Sequence, residues 1–406
     1  MTSAPLVRFF DRTTPPHIST LILIAGLAAL NMSVFLPSLS GMADYFAVDY
    51  AVMQLAVSLY LATTAVLQLV IGPLSDRFGR RPVMVGAILI FLVATLGCLF
   101  APTAVTFLAF RMVQGAIVTG IVLARAIVRD MVPADQAASM LGYVTMGMAL
   151  IPMIGPVLGG VLDQFYGWQA VYVFLFLAGC VVLVQVIADQ GETVSGTGIG
   201  FREQARTWPE LLASQRFWGY TATMAFASGA FFAFLGGSSF VAEDIFGLSS
   251  LGTGIALGAP AIGYVIGNGL SGRYSTKVGV NRMVLAGTGI ASAGMGTSLL
   301  LALIGVNSAV AFFAFCTTLG LGNGMTLPNA TAGQLSVRPH LAGTASGLGG
   351  AIMIGGGAVL SALAGVMLST ETGPLPLQAL MFAVSVLSMV SILSVIRREK
   401  RLGLGT

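Results

Sequence analysis

The sequence predicts an all-α membrane protein of twelve transmembrane helices, arranged as two pseudo-symmetric six-helix bundles. Three observations predict it: too little charge for a water-facing surface, twelve apolar runs of bilayer length, and short motifs that recur half a chain apart. Of 406 residues, 56% are hydrophobic and 8% charged, with a mean hydropathy of +0.92. An ordinary soluble domain carries about 25% charged residues. Most of the outer surface must therefore face lipid.

A helix crosses the bilayer core with about 20 apolar residues, and the chain supplies such runs in order. The first, 19–39, follows Arg8, Arg12 and His17; it is too long for a signal peptide and has no obvious small-residue cleavage site, so it reads as a retained span. The second, 51–73, ends in a highly charged connection, and Pro82 opens the third, 82–101, where a proline suits a helix start. The fourth, 104–124, carries Arg111, and the fifth, 137–162, is punctuated by Pro152 and Pro156. The sixth, 168–188, opens at Gly167-Trp168. After a polar stretch come 219–240, with Tyr220, Phe231, Phe232 and Phe234 as candidates for an apolar cavity wall, and 250–271, with a small-residue face at Gly254, Gly258, Gly263 and Gly267. Runs at 283–304, 308–329, 341–368 and 376–395 complete the twelve. They are continuously apolar rather than alternating, which excludes a membrane β-barrel.

Lys and Arg mark cytoplasmic loops, and here they segregate. Arg8 and Arg12, then Arg77, Arg80 and Arg81, Arg125 and Arg129, Arg202, Arg206 and Arg216, Arg273, Lys277 and Arg282, Arg338, and the tail Arg397, Arg398, Lys400 and Arg401 all fall on one side. The opposite loops hold only Asp44, Asp49, Asp163, Glu243, Asp244 and Glu371. Both termini and the central loop are expected in the cytoplasm, with the chain a multi-pass membrane protein. The long polar stretch divides an N-terminal bundle, 1–188, from a C-terminal one, 218–406, by a central loop, 189–217. Met153-Ile154-Gly155 recurs as Met353-Ile354-Gly355, and Leu74-Ser75-Asp76-Arg77 as Leu270-Ser271-Gly272-Arg273, at matching places in the two halves. Such repeats are typical of alternating-access transporters.

Cys98, Cys180 and Cys316 each sit alone in an apolar run, so neither a disulfide nor a metal site is expected. The net charge of +4 is spread over span ends, which argues for membrane anchoring and against nucleic acid. No cofactor is expected, and no nucleotide-binding loop of the GxxxxGK[ST] type appears. A membrane enzyme would need a membrane-depth cluster of carboxylate, His or Cys, and the runs hold none.

The connection Gly72-Pro73-Leu74-Ser75-Asp76-Arg77-Phe78-Gly79-Arg80-Arg81-Pro82 combines turn-forming glycines with an acid able to meet an arginine or a helix N-terminus. It resembles the signature loop of the major facilitator superfamily. Arg111-Met112-Val113-Gln114-Gly115, followed by Arg125, is similar to that family's Arg-x-x-Gln-Gly element. Gly155-Pro156-Val157-Leu158-Gly159-Gly160, with Gly142 upstream, resembles its antiporter element, although Ile151 stands where another glycine is usual. With His340-Leu341-Ala342-Gly343-Thr344-Ala345-Ser346 opening the eleventh run, the chain looks most like the Bcr/CflA subgroup of drug and metabolite exporters. The resemblance implies a gating role for Gly72, Asp76, Arg77, Gly79, Arg80, Arg81 and Arg125. It also implies an antiporter-type fifth helix at Gly142, Pro152, Gly155, Pro156, Gly159 and Gly160, packed across the halves against the eighth. The missing amides of the two prolines and the small glycines make a bent, closely packed helix the physical expectation.

Arg111 is the one Asp, Glu, Lys, Arg or His inside the twelve runs. A guanidinium stays charged, and placing it at a helix centre costs about 2.5 to 3.5 kcal/mol on the insertion scale. By depth it matches Asn31 and Ser33, and the resemblance implies that the first and fourth helices are neighbours, which makes Asn31, Ser33, Arg111 and Gln114 a candidate substrate-binding cluster, with bracing of the first helix as the alternative. Ser33 departs from the resembled exporters, which often carry an acid four positions before the proline of Ser33-Val34-Phe35-Leu36-Pro37. The proton carrier then falls to a span end, with Asp76, Asp163 and Asp244 as candidates. The expected function is proton-coupled export of small organic molecules or drugs by a monomer. The alternative is an importer, facilitator or exchanger of an organic anion or zwitterion bound at Arg111.

Overall fold

The computed structural model describes residues 7–131, 154–194, 208–338 and 341–403, together with 140, 151 and 206. Helices dominate the described residues, and no strand occurs among them. Eleven helices there are long and apolar enough to cross a membrane. They are α1 (Ile18–Phe46), α2 (Tyr50–Phe78), α3 (Arg80–Leu99), α4 (Ala104–Val128), α6 (Trp168–Asp189), α7 (Gln215–Ile245), α8 (Ser250–Val278), α9 (Val280–Leu303), α10 (Ala309–Ser336), α11 (Gly343–Met367) and α12 (Leu375–Arg401). The described end of the fifth span, 154–166, is helical and is labelled α5 here. Gly142, Pro152, Met153, Arg202 and His340 lie outside the described residues.

Several helices outlast their apolar runs. α1 continues past 39 through a 3-10 turn at Leu36–Ser38, where Pro37 interrupts the ladder, and stops at Ala47, whose φ is 52°. α7 reaches Ile245 through a π turn, and α12 reaches Arg401 rather than 395. Outside the hydrocarbon core, hydropathy no longer reports where helical hydrogen bonding ends. Side-chain caps set other boundaries: Thr103 accepts from Thr106 N at 3.2 Å, Ser249 from Gly252 N at 3.2 Å and Ser308 from Ala311 N at 3.2 Å, each satisfying an amide a helix start leaves free.

The helices form two bundles with matching internal packing. In the first, α4 packs on α1, α2 and α3, and α6 on α1 and α3. In the second, α10 packs on α7, α8 and α9, while α12 packs on α7 and α9. The sharp turns at Gly79 and Gly279 show the correspondence in backbone form. Their φ/ψ angles are 96°/150° and 93°/149°, a region closed to residues with a Cβ, and each amide bonds to the carbonyl four residues back, Ser75 or Ser275, at 2.9 Å. Within the second bundle, Gly263 and Gly267 of α8 lie against the backbone of α10 at Thr317 and Leu321, and Gly320 lies against Pro260. In lipid, where burial of apolar surface does not drive helices together, such backbone proximity does.

Candidate functional site

Arg111 of α4 is fully buried, with 0% of its surface accessible. Nη1 donates to Asn31 Oδ1 at 2.9 Å and to Gln114 Oε1 at 2.7 Å, Nη2 to the Asn31 carbonyl at 2.8 Å, and Nε to the Ala56 carbonyl at 3.3 Å. The rings of Phe35 and Tyr60 lie 4.0 and 4.5 Å from the guanidinium carbon. The charge is therefore held by neutral acceptors and two aromatic faces, and it joins α1, α2 and α4. Gln114 is fixed in turn by donating to Thr95 Oγ1 at 2.8 Å, which brings in α3.

Of the four residues grouped by depth, Asn31, Arg111 and Gln114 meet directly and Ser33 does not join them. Ser33 Oγ donates back to the Ala29 carbonyl at 3.4 Å and lies over Gly155 of α5. The helix turn between Asn31 and Ser33 sends the two side chains to different neighbours. Phe35, Tyr60 and Ala56, which complete the guanidinium's surroundings, carry no signal in the sequence because two act through aromatic ring faces and the third through its backbone.

At the arginine-rich end, Arg80 organises the turn between α2 and α3. Its guanidinium meets Asp76 at 2.5 Å, Ser75 Oγ at 2.5 Å and Asp130 at 3.0 Å. Arg81 Nη2 donates to the Ile187 carbonyl of α6 at 3.1 Å, and Arg77 stacks over Phe78. Glu192, just past α6, caps α3 by accepting from Arg80 N at 2.8 Å and Arg81 N at 3.2 Å. Nothing in the motif pointed to Glu192, 112 positions further on. In the described residues this network joins elements of the first bundle and the start of the central loop, whereas Gly72 faces open space and Arg125 is exposed.

Two further carboxylates went unnoticed in the sequence. Asp189, at the end of α6, is fully buried and accepts from Phe10 N, His17 N and Thr20 Oγ1 at 2.8, 2.8 and 2.6 Å. Glu399 holds the corresponding place at the end of α12. It accepts from Arg216 Nη2 at 2.6 Å, Tyr220 OH at 3.1 Å and Asn281 Nδ2 at 2.5 Å. The signal available was positional: each is an acid at the close of the sixth span of its bundle. Tyr220 is thereby part of this polar cluster rather than of an apolar wall. Phe234 is fully buried and packs edge-on against Phe313, and Phe232 is likewise buried.

The bundles meet at the acidic end through hydrogen bonds and close backbone contact. Ser40 Oγ donates to Asp244 Oδ2 at 2.8 Å, Ser239 Oγ to the Leu36 carbonyl at 2.7 Å, and Tyr50 OH to the Gly236 carbonyl at 3.0 Å. Gln54 Nε2 donates to Ser361 Oγ at 2.8 Å and to its carbonyl at 2.7 Å, and Leu251 N donates to Gln164 Oε1 at 3.2 Å. Across the bundles, a Cβ on Gly160 would collide with the Ser250 carbonyl and one on Gly254 with that of Pro156, while within the first bundle one on Gly159 would strike the Val34 carbonyl of α1. α5 and α8 thus touch across the bundles at Gly160 and Gly254. Gly263 and Gly267, expected on the same face, instead serve the α8–α10 contact, because the helix turns them back into their own bundle. Asp163 lies beside this closure, partly buried.

Two bundles of transmembrane helices with the same packing order and the same orientation, meeting through hydrogen bonds and close backbone contacts at one end, define a membrane transporter. The family model described as Major Facilitator Superfamily matches residues 21–362, and the chain belongs to that family. It is 28% identical over 382 residues to an uncharacterized MFS-type transporter, YdgK, of Bacillus subtilis, covering 91% of this chain and 92% of that one. It is 29% identical over 336 residues to a chloramphenicol resistance protein of Pseudomonas aeruginosa, covering 80% and 79% of the two chains. Multidrug resistance protein D of Escherichia coli is 28% identical over 368 residues, 88% and 90% of the chains. Among solved structures, a bacterial homolog to the human lysosomal transporter Spinster shares the fold at a TM-score of 0.72 and 18% identity, covering 94% of this chain and 96% of that one.

Proposed function

We propose that the protein is a secondary active exporter that exchanges small organic molecules or drugs for protons by alternating access. The observation that carries this reading is the one-sided seal. Cross-bundle hydrogen bonds cluster at the acidic end, although α2 and α11 also pack further along at Ala65 with Gly355 and Gln68 with Gly350, while the ion pairs of the arginine-rich end, Arg80 with Asp76 and Asp130 and Arg216 with Glu399, stay within a bundle or its adjoining loop. Such a molecule opens toward the arginine-rich end and reverses when the two clusters exchange roles. The similarity to proteins named for chloramphenicol and multidrug resistance supports drugs as the substrate class.

In this reading the bundles are 1–188 and 218–406, linked by 189–217, and the molecule works as a monomer in the bacterial inner membrane. The arginine-rich end and both termini face the cytoplasm, as the distribution of Lys and Arg supports. The turn residues Gly72, Asp76, Arg77, Gly79, Arg80, Arg81 and Arg125 act as the cytoplasmic gate. Gly155, Pro156, Gly159 and Gly160, with Gly142 and Pro152, form the antiporter-type helix. Proton coupling falls to Asp76, Asp163 or Asp244, and Asp244 has the strongest case because Ser40 ties its carboxylate to closure. Substrate reaches Asn31, Ser33, Arg111 and Gln114 only if the bundle rearranges, since four neutral acceptors already occupy the guanidinium. That occupancy disfavours the rival reading of an organic-anion facilitator bound at Arg111.

The test is a proteoliposome assay with an imposed pH gradient and labelled cationic, neutral and anionic solutes. Solute accumulation against proton flow, lost in Asp244→Asn, is the expected result. Movement indifferent to pH and selective for anions would replace this reading with the facilitator.

A further inference from the structure

The charged end of the second bundle holds a cavity of about 430 Å³. Its walls come from the start of α7 (Ser214, Gln215, Arg216), the chain just after α10 (Arg338), the last turn of α12 (Arg398) and the short helix Trp208–Leu212 (Glu210). Three guanidiniums thus converge against one carboxylate.

The three arginines are not equivalent. Arg216 is anchored from behind by Glu399 at 2.6 Å, which holds its position without filling the cavity. Arg338 pairs with Glu210 at 3.0 Å, but both side chains are nearly half exposed, 45% and 47%. An exposed pair of this kind is worth about 0 to 1 kcal/mol and yields readily to a better anion. Arg398 is exposed and its guanidinium makes no ion pair or hydrogen bond among the described residues. The amides of Gln215 and Arg216, at the start of a 26-residue helix, have no intrahelical acceptor and add to the positive field. A phosphate group, with oxygens able to take forked guanidinium bonds, matches this set.

The rim indicates what carries the phosphate. Trp218, held by an Nε1 bond to the Leu212 carbonyl at 2.8 Å, is exposed next to the exposed Leu212. Leu402 is also exposed and lines the cavity itself. An indole and leucines beside a cationic cavity at a helix-end boundary suit acyl chains running along the bundle below a headgroup. We infer that this cavity is a binding site for the phosphate headgroup of an anionic phospholipid, seated on Arg216, Arg338 and Arg398.

The test uses the purified, delipidated full-length protein and native mass spectrometry or thermal-shift titration with dioleoylphosphatidylglycerol. Dioleoylphosphatidylcholine serves as the zwitterionic lipid and glycerol 3-phosphate as the soluble phosphate. Phosphatidylglycerol should bind at least about tenfold more tightly than phosphatidylcholine, a difference worth about 1.4 kcal/mol. Arg338→Ala with Arg398→Ala should abolish that preference, while Arg401→Ala, off the cavity wall, should keep it. Glu210→Gln should strengthen phosphatidylglycerol binding by removing the competing carboxylate, a gain that loss of folding cannot imitate. Equal binding of both lipids, an unchanged preference in the double variant, or no gain in Glu210→Gln would overturn the site. Full displacement by glycerol 3-phosphate at the lipid's own concentration would overturn the lipid as its occupant.

Discussion

Arg111 shows how a single charge is kept inside a membrane bundle without a carboxylate partner. Four of its five N–H groups are committed to Asn31, Gln114 and Ala56 oxygens, and hydrogen bonds to a charged group contribute about 1.5 to 3 kcal/mol each. Arg111→Ala leaves those buried acceptors unmatched, so the melting temperature of the purified protein should drop steeply or the fold should fail. Arg111→Lys keeps the charge but not the fork. It should recover only part of the lost melting temperature, and recovery to the native value would show that charge alone matters. The sequence marked Arg111 as anomalous and placed it at the depth of Asn31. It could not show that Ser33, two residues on, would turn toward Gly155.

At the scale of elements, the α3 start and the α5 face carry separate predictions. Glu192 binds the first two amides of α3, a capping role typically worth about 1 kcal/mol. Glu192→Ala should lower thermal stability by about that amount while leaving the far end of the molecule unchanged, as read by cysteine labelling there. At Gly160 a side chain would strike the Ser250 carbonyl of the other bundle. Gly160→Val should therefore keep the acidic end from closing, and a cysteine placed at Ser40 should label several-fold faster than in the parent. Unaltered labelling would mean that the helices separate without cost. The glycine pattern of α8 announced a small-residue face, yet it could not assign each glycine to a neighbour. Gly254 meets α5 while Gly263 and Gly267 meet α10, a division set by where the helix lies.

For the whole molecule, the one-sided seal predicts that fixing it stops transport. Leu36 and Ser239 face each other across the bundles through a 2.7 Å hydrogen bond. Leu36→Cys with Ser239→Cys should cross-link under oxidation, abolish substrate movement in proteoliposomes and regain it on reduction. Transport that persists in the cross-linked protein would show that the acidic end need not open. The closed end also explains where the acids lie. Asp244 is engaged by Ser40 in the sealed state, so its exposure to water and its contact with the other bundle change together.

The sequence by itself determined the membrane class, the number and order of spans, the twofold repeat and the charged turn between α2 and α3. These depend on local quantities: runs of apolar residues, the side on which Lys and Arg accumulate, and glycines that alone adopt the φ of Gly79 and Gly279. Only the tertiary structure decided which polar groups meet. Glu192 reaches Arg80 and Arg81, Asp189 reaches His17 and Thr20, and Glu399 gathers Arg216, Tyr220 and Asn281. In a bilayer the hydrophobic effect places helices in lipid but does not select their partners. Partner choice rests on backbone proximity and hydrogen bonds between residues far apart in the chain, which come together only when the bundles are packed.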